Sequence, residues 1–142
     1  MSGFLLDTNV LSEVLRPLPD ANVAAWLKRQ AKDFLFLSVV TMGELRKGAT
    51  LLPQSTRRAQ LEQSIGVLVP SWFAGRILPV TQAIAESWGV LDGQRQLAGR
   101  PLGVADGMIA ATALEHGLTL VTRNVKDFAG LGVTILNPWD AI

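Results

Sequence analysis

Short, uniformly apolar runs separated by longer stretches of helical period restrict the fold of this chain more than any other feature. The runs are Phe4 to Leu6, Phe34 to Leu37, Ile77 to Val80, Leu118 to Val121 and Val133 to Leu136. Strands of a half-exposed antiparallel sheet alternate apolar and polar residues, whereas strands covered on both faces read as unbroken apolar runs. With helices between them, these runs predict an α/β fold around a mostly parallel central sheet. Pro79 cannot donate a ladder hydrogen bond, so the third run is expected to be an edge strand or a very short one.

The intervening stretches carry helix signals. Asn9 is placed to cap a short helix that stops at Pro17, and Asp20 to cap another bearing Val23, Trp26 or Leu27, and Ala31. Met42, Leu45, Ala49 and Leu52 form a stripe ended by Pro53, and Leu61, Ile65 and Leu68 a second after Ser55 or Thr56. These two helices are expected to pair antiparallel. Thr81 caps a long helix carrying Ile84, Trp88 and Leu91, and the segment Val104 to His116 closes at Gly117, a good residue just past a helix end. No repeat, low-complexity tract or linker is visible, and 142 residues suit a single domain spanning 1–142.

Composition removes several classes of function. Hydrophobic residues make up 49% against 18% charged, which excludes disorder and points to a well-buried core or a self-association face. A net charge of +1 exerts no global pull on polyanions, so any phosphate-binding surface must be local. The absence of cysteine excludes disulfides, thiolate zinc sites and a cysteine nucleophile, and suits the cytoplasm. The apolar stretches fall short of the roughly 18 residues of a membrane span, and no signal peptide is read. No P-loop motif and no Gly-rich dinucleotide fingerprint is present, and a haloacid-dehalogenase-type phosphatase would need an acid where Asn9 stands.

Four acids fall where strands end and helices begin. Asp7 follows the first run, Glu44 follows the second by one helical turn, Asp106 opens the helix before the fourth, and Asp127 follows the fourth in TRNVKDF. In an open parallel sheet ligands bind outside the carboxyl ends of the strands, so these acids can meet there. Two readings stand side by side. Helix N-termini favour acids, by about 0.3–1 kcal/mol each, and Thr41-x-x-Glu44 fits a capping box while Asn124-x-x-Asp127 places an acid in a first turn. Alternatively, clustered carboxylates raise one another's pKa and destabilise the fold unless a hard divalent cation neutralises them. Mg²⁺ or Mn²⁺ on such a site serves phosphodiester hydrolysis, with Thr8, Thr122 and Asn124 available to hydrogen-bond the carboxylates or the metal's waters.

Four segments in order, LLDTNVLSEVL, LSVVTMGELRKG, GRPLGVADGMIAATALEHGLTLVTRNVKDF and VTILNPW, resemble the PIN-domain ribonucleases, in particular the VapC/FitB-type toxins of bacterial type II toxin–antitoxin pairs. The resemblance runs nearly end to end. It implies a three-layer α/β/α sandwich and an Mg²⁺- or Mn²⁺-dependent endoribonuclease, with a cognate antitoxin that occludes the acidic site. It further implies a homodimer and a higher-order assembly with the antitoxin. Asp7, Glu44 and Asp106 match the acids of the first three motifs. For the fourth, Asn124 occupies one place and Asp127 another, and Asp127 is the residue chosen. Gly107 stands where the family more often has alanine after the third acid, which weakens the helix start or allows a close approach.

Arg46, Lys47, Arg95, Arg100, Arg123 and Lys126 lie beside these motifs, and Arg100 and Arg123 are the ones named as RNA-phosphate contacts. His116 reads as a C-terminal cation rather than a general base, and Trp26, Trp72 and Trp88 as core or dimer contacts. SWFAG is a candidate partner contact. A non-catalytic PIN-like binding module is the alternative, since a fold alone does not dictate activity.

Overall fold

The computed structural model describes residues 3–141. Strands β1 (Phe4–Leu6), β2 (Leu35–Ser38), β3 (Ile77–Leu78), β4 (Thr119–Val121) and β5 (Ile135–Leu136) form a sheet of order β3-β2-β1-β4-β5, every neighbouring pair parallel. Each expected run therefore contributes a strand. The third is both an edge strand and only two residues long, with Pro79 just outside it.

The helices are α1 (Thr8–Val14), α2 (Ala21–Arg29), α3 (Val39–Thr50), α4 (Thr56–Gln63), α5 (Val69–Trp72), α6 (Gln82–Leu97), α7 (Val104–His116) and α8 (Val125–Phe128). Successive residues of a strand face opposite ways, and β1 shows the consequence: Leu6 enters a cluster with Val10, Trp26, Leu37 and Ile65, while Leu5 enters another with Ile84, Ile109, Ala110 and Phe128. Both leucines are essentially inaccessible, at 0% and 1% exposure, so helices cover both faces and the sandwich has three layers. This is the PIN-type architecture the resemblance implies.

Helix ends follow the expected chemistry in places and depart from it in others. Gly117, at φ +63°, ends α7 as expected: its N–H reaches the Leu114 carbonyl and the Leu118 N–H the Ala113 carbonyl, which turns the chain straight into β4. Asp20, Ser55 and Thr81 cap α2, α4 and α6 through their side chains. Asn9, however, does not cap α1. Because β1 passes into α1 with one residue between them, Asp7 is the cap, and α1 stops at Val14 rather than running to Pro17. Nor does Thr41-x-x-Glu44 form a capping box. Helix α3 begins earlier, with the Ser38 hydroxyl accepting from the Val40 N–H, so Thr41 is already inside the helix. Ala31 likewise falls beyond α2.

The second stripe is also corrected. A π-helical turn over Ser64–Leu68 shifts the register, so Leu61, Ile65 and Val69 face the core and Leu68 is 43% exposed. On α7, Gly107 accommodates Trp88 of α6: a Cβ there would lie 2.5 Å from Trp88 Cδ1 and 2.8 Å from its Nε1. The close approach is thus the reason for glycine. Gly107→Ala gains about 1 kcal/mol of helix propensity but must displace a packed indole, which costs about 1–3 kcal/mol. The expected result is a net loss of stability, read as a lower urea midpoint at unchanged slope.

Candidate active site

The site lies at the carboxyl edge of β1, β2 and β4, where α1, α3 and α7 start. Asp7 is 3% exposed and is held at both oxygens: Oδ1 accepts from the Thr8 N–H at 2.8 Å and Oδ2 from the Thr122 hydroxyl at 2.8 Å. Thr122 is fully used in turn. Its Oγ1 accepts from Asn9 Nδ2 at 3.2 Å and from the Asn124 N–H at 3.0 Å while donating to Asp7. Across the pocket the Thr8 hydroxyl donates to Glu44 Oε1 in a short hydrogen bond and lies 3.1 Å from the hydroxyl of Thr41. Two threonines therefore orient two carboxylates, an arrangement that helix capping does not require.

Asp7, Glu44 and Asp106 line one pocket of about 470 Å³, together with Asn9, Glu13, Arg123 and Trp139. Asp106 also lines the adjoining depression, which holds Asp127, Arg95, Arg100 and Lys126. Asp106 thus stands between Asp7 and Glu44 on one side and Asp127 on the other. Asp127 lies on the neighbouring side rather than in the main pocket, whereas Asn124 lines the main pocket and also shares a further hollow with Asp127. Among the described residues no three acidic or imidazole side chains are drawn together as a ready metal cage.

The electrostatics carry the same signature. Burial pushes the Asp7 carboxyl up to about 6; hydrogen bonds from Thr122 and Thr8 oppose the shift, and the carboxylates of Asp106 and Glu44 add to it. Asp106 is raised as well, first by burial and then by Glu44 and Asp127. The ion pairs seen among the described residues, Arg16–Glu13 and Arg58–Glu62, leave these acids out. Only Asp7 is a side-chain cap, while Asp106 and Asp127 keep the first-turn places that the helix-terminus reading gives them. Ser38 rather than Glu44 caps α3, and α7 starts at Gly103 without a side-chain cap although Asp106 lies in its first turn. Helix α8 also lacks one, although Asp127 lies in its first turn.

Several contributors carry weaker sequence signals. Glu13 is buried and ties the α1–α2 turn, accepting from the Asp20 N–H at 2.8 Å and from Arg16 Nη1 at 3.3 Å. It stands within LLDTNVLSEVL. Arg95 is 9% exposed, and its guanidinium donates to the carbonyls of Arg100 and Asp127, joining the α6–α7 loop to α8. An arginine on a helix ordinarily marks a solvated face, so nothing local announced this clamp. Arg100 and Arg123 are exposed, Arg123 lining the main pocket and Arg100 the adjoining depression, with Asp106 in both. His116 is exposed in the last turn of α7 and lines neither pocket. Trp26 is core, Trp88 packs on Gly107, and Trp72 of SWFAG is 40% exposed.

The chain matches the PIN domain family model over residues 4–132. It is 39% identical to toxin FitB of Neisseria gonorrhoeae over 135 residues, which cover 95% of this chain and 97% of that protein. It is also 39% identical to VapC ribonuclease Y4jK of Sinorhizobium fredii over 137 residues, covering 96% and 97%. The crystal structure of FitAcB from Neisseria gonorrhoeae superposes with a TM-score of 0.88 at 39% identity, covering 96% of this chain and 98% of that one. With the parallel sheet, the three layers and the acids at its carboxyl edge already in place, these likenesses establish that the chain belongs to the PIN-domain family, in its VapC/FitB branch.

Proposed function

We propose that this chain is the ribonuclease toxin of a type II toxin–antitoxin pair, acting as one PIN domain over 1–142 and cutting cellular RNA by metal-assisted phosphodiester hydrolysis. The observation that carries the reading is Asp106: a carboxylate with no hydrogen-bond partner among the described residues, shared by two pockets and raised by burial and then by Glu44 and Asp127. The VapC ribonuclease likeness supports RNA as the substrate, and the FitB likeness supports the toxin role.

The residues fit a hard divalent ion. The clustered acids offer only oxygen as ligand atoms, which selects Mg²⁺ or Mn²⁺ over softer metals. Asp7, Glu44 and Asp106 would hold it, with Asp127 as the fourth acid from the adjoining side. Such an ion, when bound, supplies a water of lowered pKa and charge stabilisation on the phosphoryl oxygens. The chain's own groups do the rest. Thr122 and Thr8 keep Asp7 and Glu44 oriented, Asn124 bonds Thr122 through its N–H, and Arg100 and Arg123 contact RNA phosphates either side of Asp106.

A chain that cuts the RNA of its own cell must be held inactive, so a cognate antitoxin covering the acids is the implied partner. Val67, Leu68 and Trp72, exposed on one helical segment, support a homodimer that assembles further with it. Among the described residues no helix is long and apolar enough to cross a membrane, and a cytoplasmic site of action suits an RNA substrate.

The test is metal binding itself. Millimolar Mn²⁺ or Mg²⁺ is expected to raise the melting temperature of the wild type, since an ion that binds only the folded state stabilises it by mass action. Asp7→Asn/Asp106→Asn should lose that rise. An equal rise in both proteins would place the ion elsewhere.

A further inference from the structure

One cation beside the acids is already set in place. Arg123 is exposed, yet its guanidinium lies over the Trp139 ring, with Cζ 5.1 Å from the centroid. Trp139 is itself anchored: it packs against the first core cluster, its N–H donates to Asn137 Oδ1 at 3.0 Å, and its carbonyl accepts from Asn22 Nδ2 at 2.8 Å. Both residues line the pocket of Asp7, Glu44 and Asp106, and Arg123 also borders the next hollow beside Asp127.

A long cationic side chain facing three carboxylates would ordinarily fold onto one of them. Arg123 forms no such ion pair among the described residues. Stacking occupies one face of the guanidinium and leaves its N–H edge available, and that edge is the part that recognises phosphate through paired hydrogen bonds. The anchored indole therefore holds the cation away from the acids with its donors unspent.

We propose that Trp139 is a positioning residue that presents the Arg123 guanidinium edge to an RNA phosphate adjoining the scissile one, the stacked pair forming a phosphate subsite. This rests on the ribonuclease reading of the same pocket. Without the indole the side chain turns away and the phosphate contact itself is lost.

The experiment measures binding of a short fluorescein-labelled single-stranded RNA by anisotropy over a range of salt, with Ca²⁺ present to neutralise the acids. Trp139→Leu is expected to weaken binding about two- to tenfold. It should also lower the slope of log affinity against log salt by about 0.7, the value of one single-strand phosphate contact. Trp139→Phe, which keeps an aromatic face, should restore most of the loss. Arg123→Gln, at an exposed position that the core does not need, should lower the slope equally, and adding Trp139→Leu to it should change nothing more. Folded variants with unchanged slopes, or losses that simply add, overturn the subsite. A loss of affinity at unchanged slope would assign Trp139 to base stacking instead and also overturn it. A wild type that shows the expected slopes but cuts no RNA sinks the nuclease reading and leaves the subsite standing. One that cuts RNA with unaltered slopes in the variants sinks the subsite alone.

Discussion

Asp106→Asn is expected to lower RNA cleavage by more than about 100-fold, whereas Thr122→Val should cost about 10–100-fold, the range typical of groups that orient a metal's ligands. The ranking follows from the bonds each residue makes. Thr122 joins Asp7, Asn9 and Asn124, so its removal disturbs a carboxylate that remains present. Asp106 caps nothing by its side chain and accepts no hydrogen bond among the described residues, so its loss leaves the scaffold intact and even relieves repulsion with Glu44 and Asp127. Single-turnover cleavage of one RNA by both variants, each with a wild-type melting profile, gives the comparison. A larger loss for Thr122→Val would mean that the polar network rather than the acid cluster controls the rate.

Stability without metal should fall as pH rises. The Asp7 carboxyl titrates near 3.8 in the unfolded chain and at about 6 in the folded one, so the folded state holds its proton more tightly. The resulting stabilisation is complete below the lower value, declines as pH passes through the higher one, and amounts to about 3 kcal/mol for a group buried this deeply. Asp106 adds a shift of the same sign. Urea denaturation in chelator from about pH 4 to about pH 7 reads this directly, and Asp7→Asn should flatten most of the decline. The amide brings its own penalty, because its NH₂ meets a Thr122 oxygen that already accepts two hydrogen bonds, at about 1–3 kcal/mol for an unsatisfied buried group. The variant's flat profile should therefore lie below the wild type at low pH. Millimolar Mn²⁺ should abolish the wild type's decline by pairing the charges that cause it. A wild type equally stable across the range would contradict the burial of an unneutralised acid.

The sheet was legible because its strands are buried on both faces and so appear as bare apolar runs, and Pro79 marked the edge. The last boundary of α7 was legible because Gly117 must adopt a conformation that other residues avoid. Helix starts were less so. Asn9 and Thr41 both have the chemistry of caps, but a strand that passes into a helix almost without a loop hands the role to the residue at the strand end, first Asp7 and then Ser38. The π-turn that exchanges Leu68 for Val69 has no local signature, since either residue completes an apolar stripe. At the site, the motif acids were readable as junction residues. Arg95 was not, because its burial depends on two loops that meet only in three dimensions.

If these carboxylates serve metal-assisted RNA hydrolysis, the purified protein cuts RNA only when the metal and the acids are both present. A pool of structured RNAs is incubated with wild type in Mg²⁺, in Mn²⁺ and in chelator, beside folded Asp7→Asn and Asp106→Asn. Discrete cuts are expected with either metal, none in chelator and none from either variant. Cleavage that persists in chelator, or a wild type inert towards every RNA while both variants still bind the antitoxin equally well, would contradict it and favour a non-catalytic PIN-like binding module.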